Sequence, residues 1–165
     1  METAILHGWS DFFVAAAGAA SALAGLVFVA LSINLARIIE LPGVSGRAAE
    51  TIIVLAGALT LALVALIPGH SEASLSLAVL GVAGLSWLLP LSIQVRHIRL
   101  RAYHRRGLVA LRLVLHQLAT LPAIIAGLVM LGSNPGGMMW LALGIILSML
   151  VAIFSAWVLL VEILR

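Results

Sequence analysis

The chain has 165 residues, of which 64% are apolar and 9% charged, and its mean hydropathy is +1.25. Soluble domains carry charge on about a quarter of their residues, so this composition excludes a soluble globular protein and makes lipid the solvent for most of the chain. The formal net charge is +3, and the absence of cysteine excludes disulfides, thiolate nucleophiles and cysteine metal sites. We therefore expect a single membrane domain over residues 1–165.

The first predicted element is a membrane-spanning helix at about residues 10–36. Between Phe12 and Asn34 the sequence has no charge and no proline. Roughly 20 apolar residues already cross the ~30 Å hydrocarbon layer, so this segment is long enough to span it. Acidic Glu2 and Asp11 precede it where a signal peptide would be basic, which predicts a retained span.

Small residues recur at intervals of four along this first helix. Such a ridge lets two helix backbones approach closely, which is how helices associate in lipid. The pattern predicts a packing face that joins either copies of the chain into a homo-oligomer or two helices of one chain. Its members are Ala17, Gly18, Ser21, Ala22, Gly25 and Ser32.

Four further apolar runs predict spans at about residues 48–67, 73–95, 108–132 and 138–161. Three of the four connections contain Pro-Gly, which ends a helix and turns the chain, so neighbouring helices should be antiparallel. The third connection, residues 96–107, is instead rich in arginine. The predicted fold class is all-α, a polytopic transmembrane bundle of five spans.

All nine basic residues are arginines, and in a five-span arrangement they fall on one side. The positive-inside rule then places the N-terminus outside and the C-terminus in the cytoplasm. The arginine-rich loop gives this topology signal and is also predicted to hold anionic lipid head groups, at roughly 1 kcal/mol per basic residue. The residues of the loop are Arg96, Arg99, Arg101, Arg105 and Arg106.

The fourth predicted span carries polar and small residues on one broad face, which should point into protein. This face contains Arg112, His116, Ala119, Thr120, Ala123 and Gly127, with Gln117 beside it. An ionisable side chain at the depth of His116 indicates a proton, ion or ligand path, or else a hydrogen bond that joins two helices. Arg112 should pair with Glu50 or Glu40, which lie on the same side.

Asp11 and Asn34 lie at the two ends of the first predicted span. One interpretation makes Asp11 the helix N-cap. If copies of the helix ringed an axis, Asp11 would instead form an acidic outer mouth, with Phe28 and Val29 as an apolar constriction. The predicted polar path then contains Asp11, Asn34, His116, Gln117 and Thr120.

Three segments carry a family resemblance: FFVAAAGAASALAGLVFVALSINLARI, ELPGVSGRAAET and ALIPG, all within Phe12–Gly69. They resemble the start of a widespread group of small polytopic bacterial membrane proteins, some of which are named modulators of a membrane-bound AAA protease. This resemblance implies a multi-pass protein of the bacterial inner membrane. SALAGLVFVALSINL is also similar to the pore-lining first helix of Orai calcium channels, which have four spans, and here Asp11 would have to supply the acidic ring.

Two functional classes follow from these patterns. The first is an oligomeric channel or transporter for an ion or small solute, and the second is a non-conducting partner that binds another membrane protein or anionic lipid. The sequence shows no catalytic apparatus, so we expect no enzyme, cofactor or metal site. Nucleic acid is not an expected partner, because the arginine cluster has a single aromatic residue, Tyr103, and lies against the membrane.

Overall fold

A computed structural model describes residues 2–41, 43–99 and 106–163, and the side chains of residues 8–41, 43–96, 107 and 109–162. The described chain is helical apart from short turns. Its helices are α1 (Glu2–Ile33), α2 (Leu35–Glu40), α3 (Val44–Leu66), α4 (Glu72–Arg99), α5 (Arg106–Leu131) and α6 (Gly137–Ile163). The all-α prediction is therefore confirmed.

Within the described residues, five helices are long and apolar enough to cross a membrane. Each lies within four residues of a predicted span at both ends. The candidate spans are Gly8–Ile33, Val44–Leu66, Glu72–Arg96, Val109–Leu131 and Gly137–Glu162. The number of spans and their approximate bounds are thus as predicted, and α4 continues beyond its span to Arg99, into the arginine-rich segment.

Four helices form a ring in which each contacts two others. α3 packs on α4, α4 on α5, α5 on α6, and α6 closes the ring against α3. α1 lies outside this ring and packs chiefly on α3, with a smaller contact on α6. The short α2 packs on α3. The fold is therefore an antiparallel four-helix bundle with one further long helix on its outer surface.

The bundle has two chemically different ends. At what we call the aromatic end, α3 ends and α4 begins, α5 ends and α6 begins, and Trp9, Phe12 and Phe13 of α1 contact one another. At what we call the arginine end, α3 and α5 begin near Arg47 and Arg112 while α4 and α6 end. Gly69 and Gly43 each follow a proline and adopt left-handed φ values of 81° and 82°, as the predicted turns require.

Close approach of the ring helices depends on glycine at three positions. A Cβ at Gly57 would meet the Ser86 hydroxyl, one at Gly127 would meet the Leu80 side chain, and one at Gly144 would lie 2.9 Å from the Ala123 backbone nitrogen. Close to the last contact, the Ser148 hydroxyl donates a 2.7 Å hydrogen bond to the Ala119 carbonyl. Gly144 and Ser148 thus form a small-residue contact of α6 with α5.

The small-residue ridge of α1 divides between two surfaces. Ala17 is buried together with Phe13 and Ala20, which face the bundle. The other ridge residues are exposed: Gly18, Ser21, Ala22, Gly25 and Ser32. Among the described residues, no atom lies within 4 Å of the position that a Cβ would take at Gly18 or Gly25. The contact of α1 with its own bundle therefore uses the neighbouring face of the helix.

Two interpretations of the ends of α1 have different outcomes. The N-cap assignment of Asp11 is wrong, because α1 begins at Glu2 and Asp11 lies inside it as an exposed residue. Asn34 does end the helix: its backbone leaves the helical region, at φ −103° and ψ 13°, and its side chain donates a 2.8 Å hydrogen bond to the Ala30 carbonyl. A side chain that competes for a backbone carbonyl in this way favours helix ends, and here it separates α1 from α2.

Candidate functional site: a charged cavity at the arginine end

The centre of the candidate site is a buried ion pair between α3 and α5. Glu50 is 7% exposed, and its two carboxylate oxygens accept hydrogen bonds from Arg112 Nη2 at 2.5 Å and Nε at 3.0 Å. Gln94 of α4 donates its Nε2–H to the same carboxylate at 3.0 Å. The pairing expected for Arg112 is confirmed with Glu50, whereas Glu40 pairs with Arg37 at 3.8 Å on the surface.

A second ion pair joins α3 to the end of α6. Arg47 forms a salt bridge with Glu162, and the Glu162 side chain is about half exposed. Arg47 lies one turn before Glu50 on α3, so the two ion pairs follow one another along the same helix face. The site thus holds two arginines and two glutamates whose formal charges cancel.

His116 lies one turn deeper than Arg112 on α5. It is 4% exposed, and its Nε2–H donates a 3.0 Å hydrogen bond to the Trp87 carbonyl of α4. The Trp87 indole N–H in turn donates to Gln117 Oε1 at 2.9 Å, and the Thr120 hydroxyl donates to the His116 carbonyl at 2.8 Å. The two bonds to Trp87 and from its indole join α4 to α5, as expected if His116 links two helices, whereas the Thr120 bond lies within α5.

The two ion pairs and His116 line a cavity of about 400 Å³. Its polar side chains come from all four ring helices, which places it inside the ring at the arginine end. The rest of the wall is mostly apolar: Val54 from α3, Leu111 and Leu115 from α5, and Val151, Ala152, Phe154, Val158 and Val161 from α6. The volume lies within the roughly 300–1,000 Å³ range of small-molecule sites, and the mixture of apolar walls with a few convergent polar groups is typical of them.

A second cavity of about 550 Å³ lies at the aromatic end. Trp9, Phe13 and Met138 line it together with the turns around His70 and Asn134. Apart from Ser10 of α1, its polar groups belong to turns or helix ends, and its acidic residue is Glu72 at the start of α4. We therefore take the arginine-end cavity, where buried charges converge from the helices, as the candidate site.

The structure brings together only part of the predicted polar path. His116 lines the cavity, with Gln117 and Thr120 next to it on α5. Asp11 and Asn34 lie on α1 or at its end, outside the ring and away from the cavity lining. The predicted constriction residues Phe28 and Val29 are exposed on α1. A path through all of these residues would need more than one copy of the chain, and it stays a prediction.

The arginine-rich loop lies largely outside the described residues. Arg96 is exposed near the end of α4. The backbone of Arg99 ends α4 and that of Arg106 begins α5, while Arg101 and Arg105 fall outside the described part of the chain. Lipid binding by this loop stays a prediction.

Sequence reasoning missed Gln94 and Glu162 as members of the site. Both lie within a few residues of a candidate span end, where polar side chains are expected to reach water. Their position along the sequence therefore gives no sign that they point inward. Only the closure of the ring, which packs the end of α6 on the beginning of α3, brings Glu162 to Arg47.

Comparison of the chain with protein-family models, with curated proteins and with solved structures finds no match. Function therefore has to be argued from the arginine-end cavity and from the surfaces of the bundle.

Proposed function

We propose that the protein is an integral membrane protein of the channel or transporter class, which accepts an ion or small solute in the arginine-end cavity. The observation that carries this proposal is the buried Glu50–Arg112 pair, which opens onto a cavity inside a ring of helices able to span a membrane. The proposed setting is the bacterial inner membrane, with the N-terminus outside and the arginine end in the cytoplasm.

Depth in the membrane supports a functional role for these charges. Glu50 follows the first residue of its span by six positions, about 9 Å along the helix axis, and His116 lies at a similar depth on α5. Ionisable groups inside a membrane are expensive, face the bundle interior, and mark substrate or ion pathways. Glu50 is buried in the bundle and paired with Arg112, as that rule expects.

The test is flux into liposomes that contain the purified protein, with protons, K⁺, Cl⁻ and glycerol as probes. The key variant is the double substitution Glu50→Gln with Arg112→Gln, which removes both charges together and leaves neither one buried alone. We expect the parent protein to pass at least one probe, and the double variant to fall to the level of protein-free liposomes.

The matched control is Arg37→Gln with Glu40→Gln, which removes an exposed ion pair at the same end of the bundle. This control should conduct as the parent does. If the cavity double variant conducts as the parent does, the cavity is not part of the conduction path. Absence of flux of every probe in the parent would favour the second candidate function.

The second candidate is a non-conducting partner of another membrane protein or of further copies of this chain. The observation that favours it is the exposed ridge on α1, where Gly18 and Gly25 leave space for a second helix to approach closely. α1 packs on the outside of the ring, so its far side is open to such a contact.

Substitution of the ridge glycines tests this second function. Gly18→Leu with Gly25→Leu should lower the mass of the assembled particle in native mass spectrometry, because the larger side chains prevent close approach. Gly81→Leu on α4 is the control, since Gly81 is also exposed and also has open space at its Cβ position. Equal masses for parent, ridge variant and control would exclude the ridge as an assembly surface.

A further inference from the structure

The arginine-end cavity is graded in polarity along the helix axis. Nearest the end of the bundle lie the Arg47–Glu162 pair and then the Glu50–Arg112 pair with Gln94. Further inward the lining is mainly apolar. Its deepest wall contains Val54, Val151 and Ala152. A molecule that fills this cavity would meet polar groups at one end and hydrocarbon at the other.

The open side of the cavity faces sideways, toward the surface that lipid would cover. Leu111 of α5 and Phe154 and Val161 of α6 line the cavity and are also 39–49% exposed. Between Val151 and Val161 the α6 wall runs for ten residues, or about 15 Å along the helix. This wall and Leu111 and Leu115 of α5 line one apolar groove, and the cavity volume of about 400 Å³ limits its contents to one medium-length chain.

The polar end of the groove offers an acceptor that lacks a donor. Gln94 is 4% exposed and lines the cavity, and its Nε2–H already bonds to Glu50. Its Oε1 is buried and has no hydrogen-bond partner within the described residues. An unpaired buried carbonyl oxygen is unfavourable, so a hydrogen-bond donor that reaches this amide from the cavity would be favoured.

The net charge of the site also restricts which head groups can bind. Because the two arginines are matched by two glutamates, a ligand with a net charge would bring an uncompensated charge into a poorly solvated site. A hydroxyl group supplies the donor that Gln94 lacks without adding charge.

We infer that the arginine-end cavity binds a single-chain amphiphile from the adjacent lipid leaflet, with its alkyl chain in the α5–α6 groove and an uncharged hydroxyl head at Gln94. This inference rests on the proposed function in taking the cavity as the ligand site, and it names a monoacylglycerol-like amphiphile as a ligand of that cavity. The head lies near the membrane interface and the chain points inward, which is the orientation of the neighbouring lipids.

The test is binding of a medium-chain monoacylglycerol to the purified full-length protein, titrated in detergent and followed by native mass spectrometry. The fatty acid and the alkylammonium of equal chain length serve as charged comparison ligands. Val158→Trp fills the groove and should raise the Kd of the monoacylglycerol about tenfold or more. Ile153→Trp, on the same helix but outside the cavity lining, should leave it unchanged.

Loss of the head-group contact is tested at Gln94. Gln94→Leu should raise the Kd of the monoacylglycerol about fivefold, the value of one hydrogen bond. Gln117→Leu removes an amide of the same size that bonds to Trp87 outside the cavity, and it should have no such effect. If Gln94→Leu binds as the parent does while Val158→Trp does not, the groove holds the chain but the head-group assignment is wrong.

Two other results would overturn the inference. Tighter binding of the fatty acid or alkylammonium than of the monoacylglycerol would contradict the uncharged head. Binding that Val158→Trp leaves unchanged would place the amphiphile elsewhere on the apolar surface. This titration does not depend on transport, so the two proposals can fail separately. If the amphiphile binds but no solute passes, only the proposed function is contradicted. If flux depends on Glu50 but the amphiphile does not bind, only the ligand assignment is contradicted.

Discussion

The two ends of the bundle are built from different interactions. At the aromatic end Phe13, Leu141 and Ile145 are almost completely buried in one apolar cluster, and Trp9 contacts Phe13 at a ring separation of 6.1 Å. At the arginine end the helices are joined by charged and amide side chains that surround a cavity. Both ends contain a cavity, but the aromatic end is held together mainly by apolar packing and the arginine end by polar contacts.

This difference has a particular meaning for helices surrounded by lipid. Lipid tails are as apolar as leucine, so the aromatic end gains little from hiding apolar surface and depends on close van der Waals packing. The polar groups of the arginine end have no good partner in hydrocarbon, so they hold their helices in one arrangement by hydrogen bonds. We therefore expect a small steric change to destabilise the aromatic end, and the loss of one charge to destabilise the arginine end.

The largest effect is expected from Arg112→Met. It leaves the Glu50 carboxylate buried with only the Gln94 amide as a described hydrogen-bond donor. Removal of one partner of a buried pair costs about 3–5 kcal/mol, and we expect about 3 kcal/mol because Arg112 lies near a span end. The measurement is the free energy of unfolding in mixed micelles.

Two further variants show whether the pair acts as a unit. Glu50→Gln combined with Arg112→Met should recover most of the lost stability, because it leaves no isolated buried charge. Arg37→Met breaks the exposed pair with Glu40 and should change stability by less than about 1 kcal/mol. Equal losses of stability for Arg37→Met and Arg112→Met would mean that burial of the Glu50–Arg112 pair does not raise the cost of breaking it.

The next largest effect on stability is expected from Gly144→Val, at the contact between α5 and α6. A Cβ at this position would lie 2.9 Å from the backbone nitrogen of Ala123, which cannot move without shifting α5. Overpacking of this kind costs about 1–3 kcal/mol. Gly18→Val on the open face of α1 is the control and should be nearly neutral in detergent-solubilised single chains. A neutral Gly144→Val would show that the α5–α6 contact is looser than the structure describes.

Much of this architecture could be predicted from the sequence, because the length of an apolar run and the position of a Pro-Gly turn are local features of the chain. The five spans follow from uninterrupted apolar runs, and the inward face of α5 follows from the helical period of Arg112, His116 and Thr120. The helix ring could not be predicted, since every helix offers small residues on several faces. Gln94 and Glu162 join the site only through that ring, so their roles depend on tertiary contacts that no local pattern records.

A smaller effect is expected from Trp9→Leu. Trp9 meets Phe12 edge to face at 5.9 Å and also contacts Phe13, and such ring pairs contribute about 0.5–1.5 kcal/mol beyond their apolar area. We expect a loss of about 1 kcal/mol in the free energy of unfolding. Trp140→Leu is the control, because Trp140 is exposed on α6. A larger loss at Trp140 than at Trp9 would contradict a stabilising role of the ring contacts of Trp9 with Phe12 and Phe13.

The smallest effect is expected from Ser148→Ala, which removes the hydrogen bond from α6 to the Ala119 carbonyl. Interhelical hydrogen bonds in membrane proteins contribute only about 0.6 kcal/mol on average, because the unfolded helices find other partners. Ser32→Ala is the control, since Ser32 bonds within α1 to Phe28. The measurement is again the free energy of unfolding in mixed micelles. A loss above about 2 kcal/mol would contradict this small value and would make the Ser148 hydrogen bond a main contact between α5 and α6.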